Sequence, residues 1–147
     1  MTKRDLIAPP SLPRPRGFNH GILVQGGSLL FLAGQDASDA QGTIVSPGDL
    51  VKQFEQVLLN LQAVVQAAGG TLQDVVKLNV FVRSRGTYVA NLKQLGTVFR
   101  QYFRGHYPAM ALFEVSGFFQ DGALIEMEGI AVLDAPRADG PPAPGAR

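Results

Sequence analysis

The chain has no cysteine and only two histidines, His20 and His106. Without cysteine there can be no disulfide, no thiolate nucleophile and no Cys-ligated zinc or iron–sulfur site. That suits a reducing compartment. Two histidines are too few for a His-rich metal centre within one chain, so neither metal nor another cofactor is expected. Charge of one sign is also lacking, since the net charge is +1 with 17% charged residues. No general attraction to nucleic acid or an anionic membrane follows from that balance. No apolar run approaches the roughly 20 residues of a membrane span, and Met1-Thr2-Lys3-Arg4-Asp5-Leu6 lacks the apolar stretch of a signal peptide. The expectation is a cytoplasmic protein without nucleic-acid or membrane partners. Dinucleotide and phosphate-binding glycine loops, the Gly-x-Ser-x-Gly elbow and His-Glu-x-x-His are missing as well.

What is present suits one domain. Of the 147 residues, 46% are hydrophobic, enough for a sizeable core. Residues 1–16 carry Pro9, Pro10, Pro13 and Pro15 and read as an extended N-terminal arm. Residues 134–147 are nearly all Ala, Pro, Gly, Asp and Arg and read as a disordered tail. The folded unit is then 17–133.

Ile22-Leu23-Val24 and Leu29-Leu30-Phe31-Leu32, separated by Gly26-Gly27, predict a β-hairpin. Ser46 as N-cap, Pro47 in the first turn and Asp49 as capping-box partner predict the start of a helix. Leu50, Phe54, Val57, Leu58, Leu61, Val64 and Val65 form its apolar stripe, and Gly69-Gly70 ends it. Alternation over Val76–Arg83 predicts a strand. A second helix is expected from about Thr87 to Phe103, with Gly96 inside it costing ~1 kcal/mol against alanine and explained by close helix–sheet packing. Strands over about Ala109–Val115 and Ala123–Leu133 complete an α+β fold of order ββαβαββ.

Two amphipathic helices cover only one face of such a sheet. Leu29 to Leu32 are consecutive and apolar, so the opening strands are greasy on both sides. An uncovered apolar face calls for symmetric self-association.

Phe54-Glu55-Gln56-Val57-Leu58-Leu59-Asn60-Leu61, then Ala67-Ala68-Gly69, Asp74-Val75-Val76-Lys77 and Val80-Phe81-Val82 resemble the RidA (YjgF) family. So do Gly34-Gln35, Pro108-Ala109 and Ile125-Glu126-Met127-Glu128-Gly129-Ile130-Ala131-Val132. The resemblance runs collinearly over nearly all of 17–133. It implies a chorismate-mutase-like fold, a homotrimer with a central barrel, and small-molecule clefts between subunits. It also implies hydrolysis of enamines or imines with release of ammonia, the alternative being a non-catalytic ligand-binding or regulatory trimer. A ribonuclease label attaches to relatives, but paired histidines with a basic channel are not visible.

The resemblance also carries site residues. Glu126 stands at the place of the family glutamate that orients water, and Gly34 offers a backbone that approaches ligand. The family arginine that grips the substrate carboxylate is Met110 here. A guanidinium binds a carboxylate bidentately and a thioether does not. Losing such a pair costs on the order of 2–5 kcal/mol. The family Gly-Pro-Tyr-Ser-Gln segment corresponds to Gly17-Phe18-Asn19-His20-Gly21, and the serine before Gly-Gln is Ala33.

Glu126 is therefore the candidate catalytic residue. Gly34, Met110, Asn19, His20, Phe18 and Ala33 are candidate substrate-binding residues. Glu126 and Glu128 share a strand face with Leu124 and Ile130. By spacing alone they mark a wet face, and Glu128 is read as structural. Arg104 and His106 either lend the cleft positive charge or simply complement a helix C-terminus. Phe118-Phe119, in a glycine-flanked turn, point to an interface.

Overall fold

A computed structural model describes residues 2–134. Its elements are β1 (Lys3–Ile7), β2 (Gly21–Gln25), β3 (Ser28–Gln35), α1 (Leu50–Ala67), a 3₁₀ turn (Leu72–Asp74), β4 (Val75–Val82), α2 (Arg85–Ala90), α3 (Leu92–Phe103), β5 (Ala109–Glu114) and β6 (Ile125–Leu133). Four strands make a mixed sheet of order β3-β6-β4-β5, while β1 and β2 form a separate antiparallel pair. β6 is antiparallel to both of its neighbours, and β4 runs parallel to β5 through the α2–α3 crossover. The tail expected from residue 134 lies, from 135 onward, outside the described residues.

Several local expectations need correction. β2 and β3 are not a paired hairpin, since β2 pairs with β1 and β3 with β6. Gly26 and Gly27, both at positive φ, pass the chain from one sheet to the other. The strand partner of β2 comes from the N-terminal arm, and Arg4 fastens it to the domain. Its guanidinium pairs with Asp74 at 2.9 Å and donates to the carbonyl of Val132 at 2.5 Å.

The N-cap of α1 is Asp49 rather than Ser46: its carboxylate accepts from the Lys52 amide at 3.0 Å. Ser46 has φ 49° and Gly48 φ 77°, so Ser46-Pro47-Gly48 is a tight turn closed by the Asp49 amide on the Ser46 carbonyl. The second helix is two. Asn91 ends α2, and its side-chain amide donates to the Thr87 carbonyl at 2.8 Å.

The core lies between the sheet and the helices. Phe54, Val57, Leu58, Leu61 and Val65 of α1, with Leu95, Phe99 and Phe103 of α3, bury themselves against Leu78, Val80, Val82, Ile125 and Met127. Gln53 is the buried polar exception. It donates to the carbonyls of Ser46 and Gly122 and accepts from the Leu124 amide at 2.9 Å, tying α1 to the loop that leads into β6.

The opposite face of the sheet is open. Leu29 is 65%, Phe31 70% and Phe113 50% exposed. Phe81 stacks on Phe113 with ring centroids 5.8 Å apart. The apolar surplus does not fold back under loops; it stands on the surface.

Candidate functional site

Two constellations emerge, on opposite faces of the sheet. The first is built on β3 and β6 at the open face. The β3–β6 register shifts between Leu32 and Gln35, so Ala33 and Gly34 fall in an irregular stretch opposite the start of β6. The Glu126 side chain lies directly over Gly34: a Cβ there would collide with Oε1 and come within 3.1 Å of Cδ. Gly34, the expected point of ligand approach, also leaves room for the glutamate's own carboxyl. Ala33 is exposed beside it.

Burial raises the Glu126 pKa above its ordinary value, and the carboxylates of Asp36 and Glu128 add to the rise. Asp36 is placed by a chain of contacts from α1. Gln56 donates to Asn60, whose side-chain amide donates to the carbonyls of Asp36 and Ser38, each at 2.9 Å. Glu128 accepts from Asn79 on β4. Glu126 is thus a half-buried carboxyl near two other carboxylates, on a face that also carries exposed phenylalanines. That environment favours holding a proton and passing it on.

The second constellation is a cavity of about 520 Å³ in the helix layer. Its floor is Phe54, Val80 and Met110, and its wall is Tyr88, Leu92, Leu95 and Phe99. Arg16, Gly17 and Phe18 form one lip, with Arg100 and Tyr107 also lining the space. The rings of Tyr107, Phe99 and Phe103 stack in sequence, at 5.6 and 4.1 Å. Burial raises the Tyr88 phenol, so it stays a hydrogen-bond donor throughout the ordinary pH range.

Met110 and Phe18 therefore meet at one cavity. Asn19 does not enter it: its amide donates to the Pro108 carbonyl at 3.0 Å and its side chain to the Tyr107 carbonyl at 2.5 Å, fastening the segment carrying Phe18 to the start of β5. His20 packs edge-on against Phe18 at 5.3 Å and engages the Pro13 carbonyl. His106 is bound to the Val75 carbonyl at 2.6 Å, and Arg104 is the exposed left-handed cap of α3. Neither lines the cavity, so the positive charge near it comes from Arg16 and Arg100 instead.

Gly96 is not explained by helix–sheet packing. The atoms nearest to a Cβ there are those of the Arg100 guanidinium, at 3.2 and 3.9 Å. Arg16, Tyr88 and Arg100 were not among the residues the sequence marks as a site, whereas Tyr107, next to Arg104 and His106 before Pro108, does line the cavity. The helical spacing of 88, 92, 95, 96, 99 and 100 was the available signal, but it reads equally as core. In the turn after β5, Phe119 is 99% exposed and touches nothing of the cavity.

The register separates the two groups. Met110 pairs with Leu78, whose side chain is buried on the helix side; Glu126 pairs with Phe81, on the open side. A ligand in the cavity of one chain cannot touch Glu126 of that chain without passing through the sheet.

Residues 13–133 match the family profile described as Endoribonuclease L-PSP. A RutC family protein of Pyrococcus horikoshii is 33% identical over 87% of this chain and 97% of its own length. A protein of Dermatophagoides farinae named 2-iminobutanoate/2-iminopropanoate deaminase is 28% identical, over 91% of this chain and all of its own length. The structure of a conserved Rid family protein of unknown function, YyfB from Yersinia pestis, superposes with a TM-score of 0.79 at 34% identity, covering 88% of this chain and 98% of that one.

Proposed function

The chain belongs to the RidA (YjgF) family, and on that footing we propose that it is a homotrimer whose inter-subunit clefts hydrolyse an imine or enamine and release ammonia. The observation that carries this reading is the Glu126 carboxyl, seated over Gly34 with a raised pKa on the open, phenylalanine-rich face. Burying that face between copies excludes water and leaves few groups able to move a proton. Because Glu126 and the Met110 cavity lie on opposite faces, a complete site takes the carboxyl from one chain and the cavity from another. The deaminase name of the Dermatophagoides relative supports the chemistry.

In the reaction, the Glu126 carboxylate accepts a proton from water as its oxygen bonds to the C=N carbon. The resulting carbinolamine takes the proton back on nitrogen. The carboxylate then takes the hydroxyl proton and passes it to nitrogen as the C–N bond breaks, so ammonia leaves, the carbonyl forms, and one water is consumed for each ammonia. A carboxyl with a raised pKa serves both transfers, as base in the first and acid in the second. An enamine joins the path after protonation on carbon.

Met110 favours a second reading, a trimer that binds a ligand without turning it over, because a thioether cannot hold a substrate carboxylate as a guanidinium does. RNA cleavage finds no support in the histidines. Each is bound to a backbone carbonyl on a different element, His20 to Pro13 and His106 to Val75. The deciding assay follows ammonia from freshly generated imines and enamines with wild type and Glu126→Gln. Turnover abolished by the substitution supports the hydrolase. Saturable binding with no turnover on any substrate supports the binder.

A further inference from the structure

The cavity has an apolar body and a charged mouth. Phe99, Leu92, Leu95 and Met110 offer a ligand only carbon and sulfur, while Arg16 and Arg100 bring two guanidinium groups to the same space. Neither arginine has a carboxylate partner among the described residues, where the ion pairs are Lys3–Asp5 and Arg4–Asp74. Arg100 is also held in a particular place. It folds back one turn along α3 onto Gly96, and its Nη2 reaches Thr97 Oγ1 at 3.4 Å. Alanine at 96 would put its Cβ 3.2 Å from the guanidinium, a tight contact that a shift of a few tenths of an ångström relieves. A glycine inside a helix is unfavourable, and here the guanidinium of a cavity-lining arginine lies over it.

We infer that Arg100, lying over Gly96 and sharing the cavity lining with Arg16, is the anion anchor of this cavity, and that the ligand is a carboxylate carrying an aromatic or large branched apolar group. The inference rests on reading the cavity as the ligand site of the proposed function, and it names the class of molecule that site takes. The anchor has moved from the strand position now held by Met110 to the helix. The carboxylate therefore binds at the mouth and the apolar group fills the space down to Met110. A volume of about 520 Å³ lies within the range of small-molecule sites and is far larger than a two- or three-carbon acid fills. The Tyr88 hydroxyl remains a donor for a further polar atom of the ligand.

Calorimetric titration of the full chain with 3-phenylpropionate, propionate and neutral 3-phenylpropanamide tests this. The aromatic acid should bind at least about tenfold more tightly than either of the others, reflecting both the apolar contact and the charge-assisted pair. Arg100→Met should weaken the aromatic acid by roughly 10–100-fold and leave the amide unchanged, with Arg100→Lys recovering part of the loss. Equal affinity for acid and amide, equal affinity for the short and aromatic acids, no binding up to millimolar, or an Arg100→Met variant indistinguishable from wild type would each overturn the inference. The two readings fail separately. Binding as described without ammonia release from the phenylpyruvate imine removes the hydrolase and leaves the anchor. Turnover of 2-iminopropanoate that is indifferent to Arg100→Met removes the anchor and leaves the hydrolase.

Discussion

Gly34→Ala isolates the positioning of Glu126 from everything else in the fold. The new Cβ would overlap Oε1 and sit 3.1 Å from Cδ and 3.4 Å from Cγ. Relieving the overlap takes a withdrawal of the carboxyl by about 1 Å, a displacement that costs on the order of 100-fold where a reacting group must be in register. Stability should barely change. Gly34 does not have positive φ, so alanine fits its backbone, and the group in its way is the far end of a side chain. Rotating Glu126 costs about 1 kcal/mol, offset by roughly 0.5–1 kcal/mol from a less flexible unfolded chain. The melting temperature should move by only a few degrees, which calorimetry will show. Ammonia release should fall about 100-fold. A readout independent of substrate is the titration of Glu126 followed by carbon-13 NMR: as the carboxyl swings into solvent, its pKa should fall back toward the ordinary glutamate value. A pKa equal to that of wild type, or a collapse in stability, would refute the argument, because the glycine would then be serving the backbone rather than the carboxyl.

The other expectations concern stability, pH and assembly. Gln53→Leu keeps the volume but strands the carbonyls of Ser46 and Gly122 and the amide of Leu124. At about 1 kcal/mol for each lost bond, thermal melts should show a loss near 3 kcal/mol, or about 10 °C; a change under 1 kcal/mol would mean water replaces the amide. The raised Glu126 pKa means that the folded chain holds its proton to higher pH than the unfolded chain does. The stability this contributes is full below the ordinary glutamate value and lost as pH rises through the raised one. Urea unfolding across pH 4–8 should show Glu126→Gln gaining on wild type through that window and level above it, whereas a pH-independent difference would contradict the shift. Phe31→Glu places a charge on the open face at edge strand β3, and, if the chain assembles through that face as proposed, sedimentation at micromolar concentration should find folded single subunits. An unchanged sedimentation coefficient would show that this face is not the interface.

Much of this architecture could be read from periodicity, because one face of each element is buried and burial imposes a period. The stripe on α1 and the alternation along β4 correspond to buried residues in the structure. What could not be read was decided by competition between neighbours. Ser46, Pro47 and Gly48 satisfy capping rules as well as turn rules, and the positive φ at 46 and 48 gives the turn the position and Asp49 the cap. Gly26-Gly27 separates two apolar runs as a hairpin turn would, yet β3 takes β6 as its partner and β2 pairs with β1. Charge was harder still. Arg104 and His106 are nearest in sequence to Met110, but a left-handed cap turns one outward and the Val75 carbonyl captures the other. Arg100 reaches the cavity because a helix brings every fourth residue back to the same side.

The site candidates expose a limit of reasoning within one chain. Alternation assigns each strand residue to a face but not to a partner. Glu126 and Met110 were grouped by resemblance, and the strand register puts a sheet between them. An apolar face left open and a cavity behind it, each holding half of a chemical apparatus, have a common explanation if the face of one copy closes over the edge strand of the next. β5 is that edge, paired only with β4 inside its sheet, and it carries Met110 toward the cavity and Phe113 toward the open face. The same strand would then serve both as wall of the ligand site and as part of the seam. A substitution that weakens assembly should therefore weaken ligand binding in proportion to the fraction of dissociated chains, and binding should return at high protein concentration. A cavity mutant would show no such recovery.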